Sequence, residues 1–533
     1  MTLRFLPVNL DAMLVELDDL PQTLALLASL QAEPLAGIKE LVPAARTLLI
    51  RFRPSALSAQ ALVREVGARR LDAPTSRVDR RIEIPVRYDG EDLAEMADLL
   101  GMTPEALVRC HTGSDYTVAF TGFAPGFAYL SGGDPRLDVP RRATPRTRIP
   151  AGAVGLAGRF SGVYPQASPG GWQIIGVTDT PMWDLTRAVP ALLQPGDTVR
   201  FVDVTAVEAA TVVHAVDVAA PAAEPPAAPH AGAVLEVRAT GLQTLWQDRG
   251  RHGQAGQGVS ASGAMDQRAL QAANRLVGNA AGAACLETVD GGLQVVCHGG
   301  AVVAVTGAQG PLWLTRADGV RWALPRYAPV ALDDGDLLTV GAPEAGLRSY
   351  VAARGGFAVT PVLGSCATDT LARVGPPAVA VGDRLPVRVA PTCAPVGAPE
   401  VPPADLPDAQ QDVVLDVVLG PRADWFTPDA VARLFAQAWQ VTPQSNRIGL
   451  RLAGERPLAR ANTGELPSEG TGLGALQVPP SGQPVLFLAD HPLTGGYPVI
   501  GAVATYDLDR AGQVPVNARI RFRAVSGFHP IES

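Results

Sequence analysis

Glycine and proline recur every few residues along much of this chain, and they constrain its fold more than any other feature. The 533 residues include 55 glycines and 48 prolines. Both are dense between residues 120 and 172, in FTGFAPGFAYL, IPAGAVGLAG and SGVYPQASPGGW. Proline fixes the backbone in turns, and glycine adopts conformations that other residues avoid. The pattern predicts short strands joined by tight turns, and from Tyr116 to Val204 it is typical of a compact β-barrel.

The length, net charge and cysteine content of the chain limit the classes of protein to which it can belong. A chain of 533 residues needs more than one hydrophobic core, and 47% hydrophobic with 18% charged residues is typical of a globular protein. The net charge of −8 argues against a general affinity for nucleic acid. The sequence shows neither a signal peptide nor a membrane span. Its five scattered cysteines lack zinc-site spacing and favour a reduced, cytoplasmic protein.

Changes in the hydrophobic pattern divide the chain into four segments. Residues 1–85 alternate strands and helices and predict a small α/β module, and residues 86–215 predict a barrel. The Pro/Ala-rich stretch 216–232 predicts a linker. Residues 233–533 predict a second unit of two barrel subdomains. Both halves of the chain share a barrel-like texture, which leaves a distant duplication between them open. Helices are expected at DDLPQTLALLASLQ, LSAQALVREVGARR, EDLAEMADLL, TPEALVRCH, MDQRALQAANRLVG and TPDAVARLFAQAW.

Lysine is almost absent, which restricts how the chain can bind phosphate. The one lysine, Lys39, stands in AGIKELVP, so the chain has no Walker A motif and no lysine suited to carry biotin. Arginine must therefore contact any phosphate, since its planar guanidinium bonds two phosphate oxygens at once. The segment VPRRATPRTRIPAG contains four arginines: Arg141, Arg142, Arg146 and Arg148. This clustering favours a pocket for phosphate or carboxylate over a set of solvated surface side chains.

The segment WQDRGRHGQAGQGVSASGAMD sets polar side chains and glycines directly before a predicted helix. Backbone amides near the helix N-terminus offer an anion site, and Asp248 and Asp266 are candidate catalytic residues that could ligate Mg²⁺ or position water. Ser262 belongs either to that site or to the helix as its N-cap. Gln247 and Arg249 are further binding candidates from this segment.

Single polar groups framed by glycine and proline recur elsewhere. His491, beside Asp490 and a Gly-Gly turn, is a candidate for proton transfer. Backbone N–H groups between Ser168 and Trp172 can face an oxyanion. The remaining candidate binding residues are Ser445, Arg447, Glu469, Gln477, Thr494 and Tyr497.

Taken together, these blocks resemble two protein families in fused order. FTGFAPGFAYL, PRTRIPAGAVGLAG and SGVYPQASPGGW resemble the allophanate hydrolase subunit 1 family, associated with the B subunit of 5-oxoprolinase. A second set of blocks resembles the subunit 2 family, or the C subunit of 5-oxoprolinase: WQDRGRHG, SGAMD, SNRIGLRLAG, ELPSEGTGLGALQVPPSGQP and TGGYP. The resemblance implies an α+β, mainly β fold of cyclophilin-like barrels with a small N-terminal α/β module.

The same resemblance implies a function. It suggests a component of an ATP-dependent 5-oxoprolinase, which activates the lactam of 5-oxo-L-proline for hydrolysis to L-glutamate together with a separate protein like the A subunit of 5-oxoprolinase. ATP and Mg²⁺ are then the cofactors, and Arg141 and Arg146 would hold phosphate. Two alternatives stay open: carboxyl transfer to urea or a related amide with a separate biotin carrier, and a non-catalytic regulator of a histidine kinase. Homo-oligomer formation stays open too.

Overall fold

The computed structural model describes residues 3–71, 80–142, 144–205, 231–389 and 394–532. Residues 216–230 of the predicted linker, and Cys393, lie outside the described residues.

An N-terminal module packs helices against a β-sheet. Asp19 accepts a hydrogen bond from the backbone N–H of Gln22 (3.0 Å) and Pro21 occupies the first turn, so the first helix begins where the sequence predicts. Apolar side chains such as Phe5, Leu26 and Leu48 form its core. The module consists of β1 (Arg4–Asn9), β2 (Ala12–Glu16), α1 (Leu20–Ala32), β3 (Ile38–Pro43), β4 (Thr47–Phe52) and α2 (Ala59–Gly67).

The first barrel follows. It consists of β5 (Arg81–Val86), α3 (Leu93–Leu99), α4 (Pro104–Thr112), β6 (Asp115–Thr121), β7 (Ala128–Ser131), β8 (Arg146–Ile149), β9 (Ala153–Ala157), β10 (Phe160–Val163), β11 (Ser168–Gly170), β12 (Gln173–Val177) and β13 (Thr198–Asp203). Seven strands run in the order β12-β9-β10-β7-β6-β13-β5, and mutual backbone bonds between Arg87 and Val177 join the two ends. The sequence interpretation placed β5 with the N-terminal module. It pairs instead with β13, because Ile82, Ile84 and Val86 belong to the barrel core.

A middle sandwich of two sheets comes next, where the sequence predicts a barrel subdomain; its described strands form two separate sheets that face each other across a shared core instead. Its elements are β14 (Ala231–Thr240), β15 (Gln243–Gln247), α5 (Gln267–Leu276), β16 (Cys285–Val289), β17 (Leu293–His298), β18 (Ala301–Gln309), β19 (Leu312–Thr315), β20 (Arg321–Ala323), β21 (Pro329–Leu332), β22 (Leu337–Val340), β23 (Ala345–Ala353) and β24 (Arg384–Arg388). The sheets have the orders β20-β19-β22-β17-β14-β24 and β15-β16-β23-β18-β21 and share one apolar core. The interpretation of Ser262 as the N-cap of α5 is wrong: Asp266 accepts from the N–H of Ala269 (2.8 Å) and is the cap.

The second barrel ends the chain. It consists of β25 (Asp412–Leu419), α6 (Pro428–Ala436), β26 (Trp439–Val441), β27 (Gly449–Ala453), β28 (Glu469–Gly470), β29 (Ala475–Gln477), β30 (Val485–Phe487), β31 (Thr494–Gly495), β32 (Val499–Val503), α7 (Leu508–Gly512) and β33 (Arg519–Ser526), followed by β34 (Ile531–Glu532). Seven strands close in the order β25-β32-β29-β30-β27-β26-β33. Strand β34 leaves the barrel and pairs with β1, which completes the N-terminal sheet as β3-β4-β2-β1-β34.

The two barrels share one topology. In each, the first strand of the barrel runs parallel to the last, β5 beside β13 and β25 beside β33. The remaining strands follow in the matching orders β6-β7-β10-β9-β12 and β26-β27-β30-β29-β32. A separate two-stranded pair accompanies each barrel, β8 with β11 and β28 with β31. This correspondence supports the duplication that the sequence left open.

The α+β, mainly β fold expected from the resemblance is therefore confirmed. Within the described ranges, none of the helices has the length and apolar character that crossing a bilayer requires.

Candidate active site at the junction of the two halves

The two halves of the chain, residues 3–205 and 231–532, meet through glycine-rich loops. The Thr121 hydroxyl donates to the Ala255 carbonyl (3.1 Å), and the Gly126 N–H donates to the Gln257 carbonyl (3.0 Å). Both bonds join the FTGFAPGF loop of the first barrel to the loop that precedes α5. Loops that looked like separate motifs in the sequence therefore share one interface.

Gly122 faces Thr494 across this interface, and its lack of a side chain is required there. A Cβ at Gly122 would lie 2.4 Å from Thr494 Oγ1 and 2.7 Å from its Cγ2. We expect Gly122→Ala to lower the free energy of unfolding by about 1–3 kcal/mol through overpacking, measured by urea denaturation. Gly256→Ala, whose Cβ would meet nothing within 4 Å, is the matched control. Equal stability of the two variants would contradict the close packing.

The N-terminal module docks on the second barrel, and a pocket lies between them. Asn9 Nδ2 donates to the Val503 carbonyl (2.8 Å), and the Ala45 N–H donates to the Ser468 carbonyl (3.1 Å). We call the cavity of about 160 Å³ beside these contacts the junction pocket. It is lined by Arg4, Glu16, Arg46, Thr47, Arg422, Asp424, Trp425, Leu466, Pro467, Ser468 and Glu469.

A buried guanidinium holds two carboxylates in the wall of the junction pocket. Arg422 donates through Nη2 to Glu16 (2.8 Å) and through Nε to both oxygens of Glu469 (3.0 and 3.1 Å). Burial raises the pKa of Glu469 despite Arg422. At Glu16 burial acts in the same direction, but Arg422, with Arg4 and Arg46, holds the pKa below its usual value. Glu469 is therefore the carboxyl that more readily keeps a proton.

The same pocket offers hydrogen-bond donors to an anion. The side chains of Arg4 and Arg46 remain 35% and 50% exposed. The Thr47 hydroxyl is buried and bonds to none of the described residues. Arg141 approaches from the first barrel and donates to Ser468 Oγ (3.2 Å) beside its ion pair with Glu465 (3.2 Å). The pocket can take one phosphate-sized or carboxylate-sized group.

Comparisons with known proteins identify the family. Residues 3–193 match the carboxyltransferase domain, subdomain C and D, and residues 257–524 match the carboxyltransferase domain, subdomain A and B. The chain belongs to this carboxyltransferase-domain family. Among its relatives is the C subunit of 5-oxoprolinase from Escherichia coli K12, 35% identical over 296 residues, which are 54% of this chain and 90% of that one.

Two further similarities cover about a quarter of the chain and nearly the whole chain. The carboxyltransferase-domain chain is 51% identical over 126 residues to the B subunit of 5-oxoprolinase from Haemophilus influenzae. These residues are 23% of this chain and 59% of that relative. The crystal structure of TTHA0988 superposes with a TM-score of 0.80 at 34% identity and covers 96% of this chain and 99% of that one. The fused order expected from the sequence, a B-type half followed by a C-type half, is thus confirmed.

In the structure, the buried carboxylate of Asp92 binds two arginines of the predicted arginine pocket, Arg142 and Arg146. Arg146 donates to both oxygens of Asp92 (2.9 and 2.7 Å), and Arg142 donates to the same side chain (2.7 Å). Asp92 also accepts from the Ile174 N–H (2.6 Å). The cluster fixes the arginine segment against β12. The phosphate-binding role of Arg146 stays a prediction, and Arg141 is the arginine of this block that reaches the junction pocket's Ser468.

The candidate Mg²⁺ ligands have their oxygens occupied by protein donors. Asp248 accepts from the Gly250 N–H, the Ser365 hydroxyl and the Cys366 N–H (2.6–2.8 Å). Asp266 caps α5 and accepts from Gln513 Nε2 (2.8 Å). No cluster of three or more His, Cys, Asp or Glu side chains suited to a metal occurs in the described ranges. In this arrangement the two aspartates do not fit a Mg²⁺ site.

Two of the backbone amides before α5 are likewise used inside the protein. The Ala264 N–H donates to the Asp248 carbonyl (2.9 Å), and the Met265 N–H donates to Glu287 (3.0 Å). Ser262 donates to Asp490 (2.6 Å). Gln247 donates to the Thr368 carbonyl (2.9 Å), and the neighbouring Arg249 is exposed.

Arg447 is the centre of a buried ion network between the middle sandwich and the second barrel. It is 1% exposed and donates to Glu287 (2.5 Å), to Asp490 (3.0 and 2.9 Å) and to the Gly263 carbonyl (2.7 Å). Burial raises the pKa of Asp490, but Arg447 holds it below its ordinary value. Arg447, Ser262 and Asp490 thus join the two units, whereas the sequence indicated a ligand site.

The other candidates of the second half lie in separate places. His491 donates from Nδ1 to the Pro492 carbonyl (2.9 Å), and burial lowers its pKa to about 4, so it is neutral near pH 7. Ser445 Oγ accepts from the Arg451 N–H (3.0 Å). Gln477 Nε2 reaches the Tyr497 carbonyl (3.3 Å), and the Tyr497 ring lies under Arg460.

Ser168 and Thr494 occupy corresponding positions on β11 and β31. Each has a buried hydroxyl that bonds to none of the described residues. Trp172 packs edge-on against Phe127 (5.3 Å between ring centroids) and belongs to an aromatic core.

The residues that sequence reasoning missed are Glu16, Arg46, Thr47 and Arg422. They lie in ordinary strand or loop segments, and no local spacing marks them. Glu16 and Arg422 are 406 positions apart in the chain, so the fold alone brings them together.

Proposed function

We propose that this chain is a component of an ATP-dependent lactam hydrolase of the 5-oxoprolinase type. It would activate the lactam of 5-oxo-L-proline for hydrolysis to L-glutamate, with ADP and phosphate as the other products. A separate protein like the A subunit of 5-oxoprolinase is the proposed partner for the hydrolytic step. ATP with Mg²⁺ as its counter-ion is part of the proposal, and biotin attached to this chain is not.

The observation that carries the proposal is the junction pocket. The halves of the chain resemble two different subunits of 5-oxoprolinase, and this arginine-lined pocket is built by both halves. Residues from one half alone would leave it open on one side. A site that needs both halves explains why the two units occur in one chain.

The pocket's residues suit phosphate handling. Arg46 and Arg4 can bind phosphate oxygens in place of part of their contact with Glu16, with the Thr47 hydroxyl as a further donor. Arg141 orients the Leu466–Ser468 wall through Ser468. ATP, when bound, would transfer its terminal phosphoryl group to the lactam oxygen and leave as ADP, and water could then attack the ring carbon while phosphate departs. Both oxygens of Glu469 accept from Arg422, so this carboxylate holds the guanidinium in the pocket wall.

A turnover assay tests the proposal. The purified chain with the partner protein proposed above, ATP and Mg²⁺ should release L-glutamate from 5-oxo-L-proline in step with ADP. We expect Arg46→Ala to lower kcat/KM for ATP by about 10- to 100-fold, since a charge-assisted contact contributes about 1.5–3 kcal/mol. The exposed Arg519→Ala is the control. Arg141→Ala and Arg146→Ala in the same assay test the phosphate roles predicted from the sequence.

Two results would contradict the proposal. Release of glutamate without ATP consumption would remove the activation step. Absence of turnover with every partner protein of this type tried, while the chain remains folded, would remove the lactam hydrolase function.

A second candidate function is carboxyl transfer to urea or a related amide. It is favoured by the family descriptions, which name carboxyltransferase subdomains in both halves. Transfer of labelled carboxyl groups from a separate carboxybiotin carrier to urea, with no response to 5-oxo-L-proline, would support this candidate over the lactam hydrolase.

A further inference from the structure

The first barrel contains a second, larger cavity that shares no lining residue with the junction pocket. Its volume is about 310 Å³, which is in the range of small-molecule sites. The loop 132–138 forms one wall and the β9–β10 hairpin, with Arg159 at its turn, forms another. Tyr116 and Ser161 also line the cavity. We call it the Tyr116 cavity.

The Tyr116 hydroxyl has no hydrogen-bond partner among the described residues. Tyr116 is 2% exposed, and its buried Oη bonds to nothing in the described part of the chain. Burial and the nearby Asp134 raise its pKa, so the group stays protonated and is a hydrogen-bond donor. A buried donor left unpaired costs about 1–3 kcal/mol. Gly133 makes this arrangement possible, because a Cβ there would lie 2.7 Å from the Tyr116 hydroxyl.

Ser161 is a second donor, and a buried chain of polar groups orients it. Tyr88 Oη lies 2.6 Å from His111 Nδ1, and His111 Nε2 lies 2.8 Å from Ser161 Oγ. Burial lowers the pKa of His111 to about 3, so the imidazole is neutral and carries one N–H. The Tyr88 hydroxyl and the His111 N–H are both used if Tyr88 donates to Nδ1 and Nε2–H donates to Ser161. Ser161 then keeps its own proton for an acceptor, and the Gly155 carbonyl offers one only at 3.4 Å.

The second barrel shows that the fold does not require these polar groups. Ser161 pairs with Leu130 and Leu156 of its neighbouring strands. At the corresponding place in the second barrel, Leu486 pairs with Leu450 and Leu476. That core is apolar, and the indole N–H of its Trp439 is bonded to the Leu434 carbonyl (2.9 Å). The polar chain in the first barrel is thus an addition to a topology that is stable without it.

We propose that the Tyr116 cavity binds a small lactam, whose carbonyl oxygen accepts hydrogen bonds from the hydroxyls of Tyr116 and Ser161. Tyr116 and Ser161 bring two neutral donors to the lining of a partly apolar cavity, which matches a carbonyl oxygen, and Leu137 and Leu156 offer apolar contact to a ring. Arg159 at the mouth, paired with Asp138 at 3.2 Å and largely exposed, can reach a carboxylate on that ring. The choice of a lactam among carbonyl compounds rests on the proposed function.

Calorimetric titration of the full chain tests the site. The probes are 5-oxo-L-proline, 2-pyrrolidinone and L-proline, each with and without a non-hydrolysable ATP analogue. We expect both lactams to bind and L-proline, which lacks the lactam carbonyl, to fail. Tyr116→Phe should weaken lactam binding by about tenfold or more. Tyr506→Phe, an exposed tyrosine of the second barrel, should bind as the unmodified protein does.

A stability measurement separates binding from folding. Tyr116→Phe deletes a hydroxyl that has no partner among the described residues, so the melting temperature without ligand should stay the same or rise while lactam affinity falls. Ser161→Ala should also weaken binding. Undiminished lactam binding by Tyr116→Phe, or no lactam binding by the unmodified protein under either condition, would overturn the proposal.

The turnover assay distinguishes this proposal from the proposed function. If glutamate release depends on ATP but Tyr116→Phe leaves KM for 5-oxo-L-proline unchanged, the cavity is not the lactam site although the function stands. If lactams bind in a Tyr116-dependent way and turnover is absent, the cavity assignment stands and the lactam hydrolase function does not.

Discussion

Arg447→Met is expected to lower the free energy of unfolding by about 3–5 kcal/mol, a large part of the stability of an ordinary domain. The substitution leaves Glu287 and Asp490 fully buried without their shared cation. It also removes the donor to the Gly263 carbonyl. Because Arg447 joins the second barrel to the middle sandwich, we expect both units to lose stability together. Urea denaturation followed by circular dichroism measures the change.

The control for Arg447 is an ion pair of similar length on the surface. Arg521 bonds to Asp412 with its side chain 46% exposed, and such pairs contribute about 1 kcal/mol or less. Arg521→Met should therefore change stability little. If Arg447→Met had an effect as small as that of Arg521→Met, the buried network would not couple the two units.

Asp369→Asn is expected to change the pH dependence of stability. Burial, and then the charge of Asp490, raises the pKa of Asp369 from 3.8 to about 6. The folded protein therefore holds this proton more tightly than the unfolded chain, and the contribution of Asp369 is fully present below about pH 4. It is lost as pH rises through about 6. The loss is on the order of 3 kcal/mol, at 1.36 kcal/mol for each pKa unit.

Asparagine suits this test because it preserves the local bonds. Its carbonyl can accept from the Leu371 and Ala372 N–H groups, and its amide can donate to Ser260. We expect the stability of Asp369→Asn relative to the unmodified protein to increase by on the order of 3 kcal/mol from pH 4 to pH 7. Urea denaturation at each pH measures this difference. The exposed Asp98→Asn is the control, and a difference that does not vary with pH would contradict the prediction.

Local structure could be predicted well because its causes are local. Thr103-Pro104 and Thr427-Pro428 predict the starts of α4 and α6, and in both helices the threonine hydroxyl accepts from the N–H three residues on. The glycine and proline pattern predicts short strands. The same pattern predicts a barrel between Tyr116 and Val204, and the family resemblance adds its cyclophilin-like type, since many strand arrangements share the same texture.

The roles of charged side chains could not be predicted, because their partners are distant in sequence. Arg146 and Asp92 are 54 positions apart, and Arg447 and Glu287 are 160 apart. A motif shows that an arginine lies near glycines in the sequence. The folded arrangement of the sheets decides whether that arginine binds a carboxylate of the protein or a ligand. Several candidates predicted as ligand contacts proved to hold the units together for this reason. His111 and Ser161 gave no signal, since each stands alone in an ordinary helix or strand.

The pairing of β34 with β1 has a consequence for biosynthesis. Until Ile531 and Glu532 have left the ribosome, the outer edge of β1 presents unpaired N–H and C=O groups, although the rest of the N-terminal module can already fold. A nascent chain therefore exposes this edge while the residues between β1 and β34 are synthesised. In the fused protein the strand that covers this edge arrives on the same molecule, at a rate that does not depend on concentration. If the two halves were separate polypeptides, covering the β1 edge would require an encounter between them. Aggregation through that edge would then compete with their association.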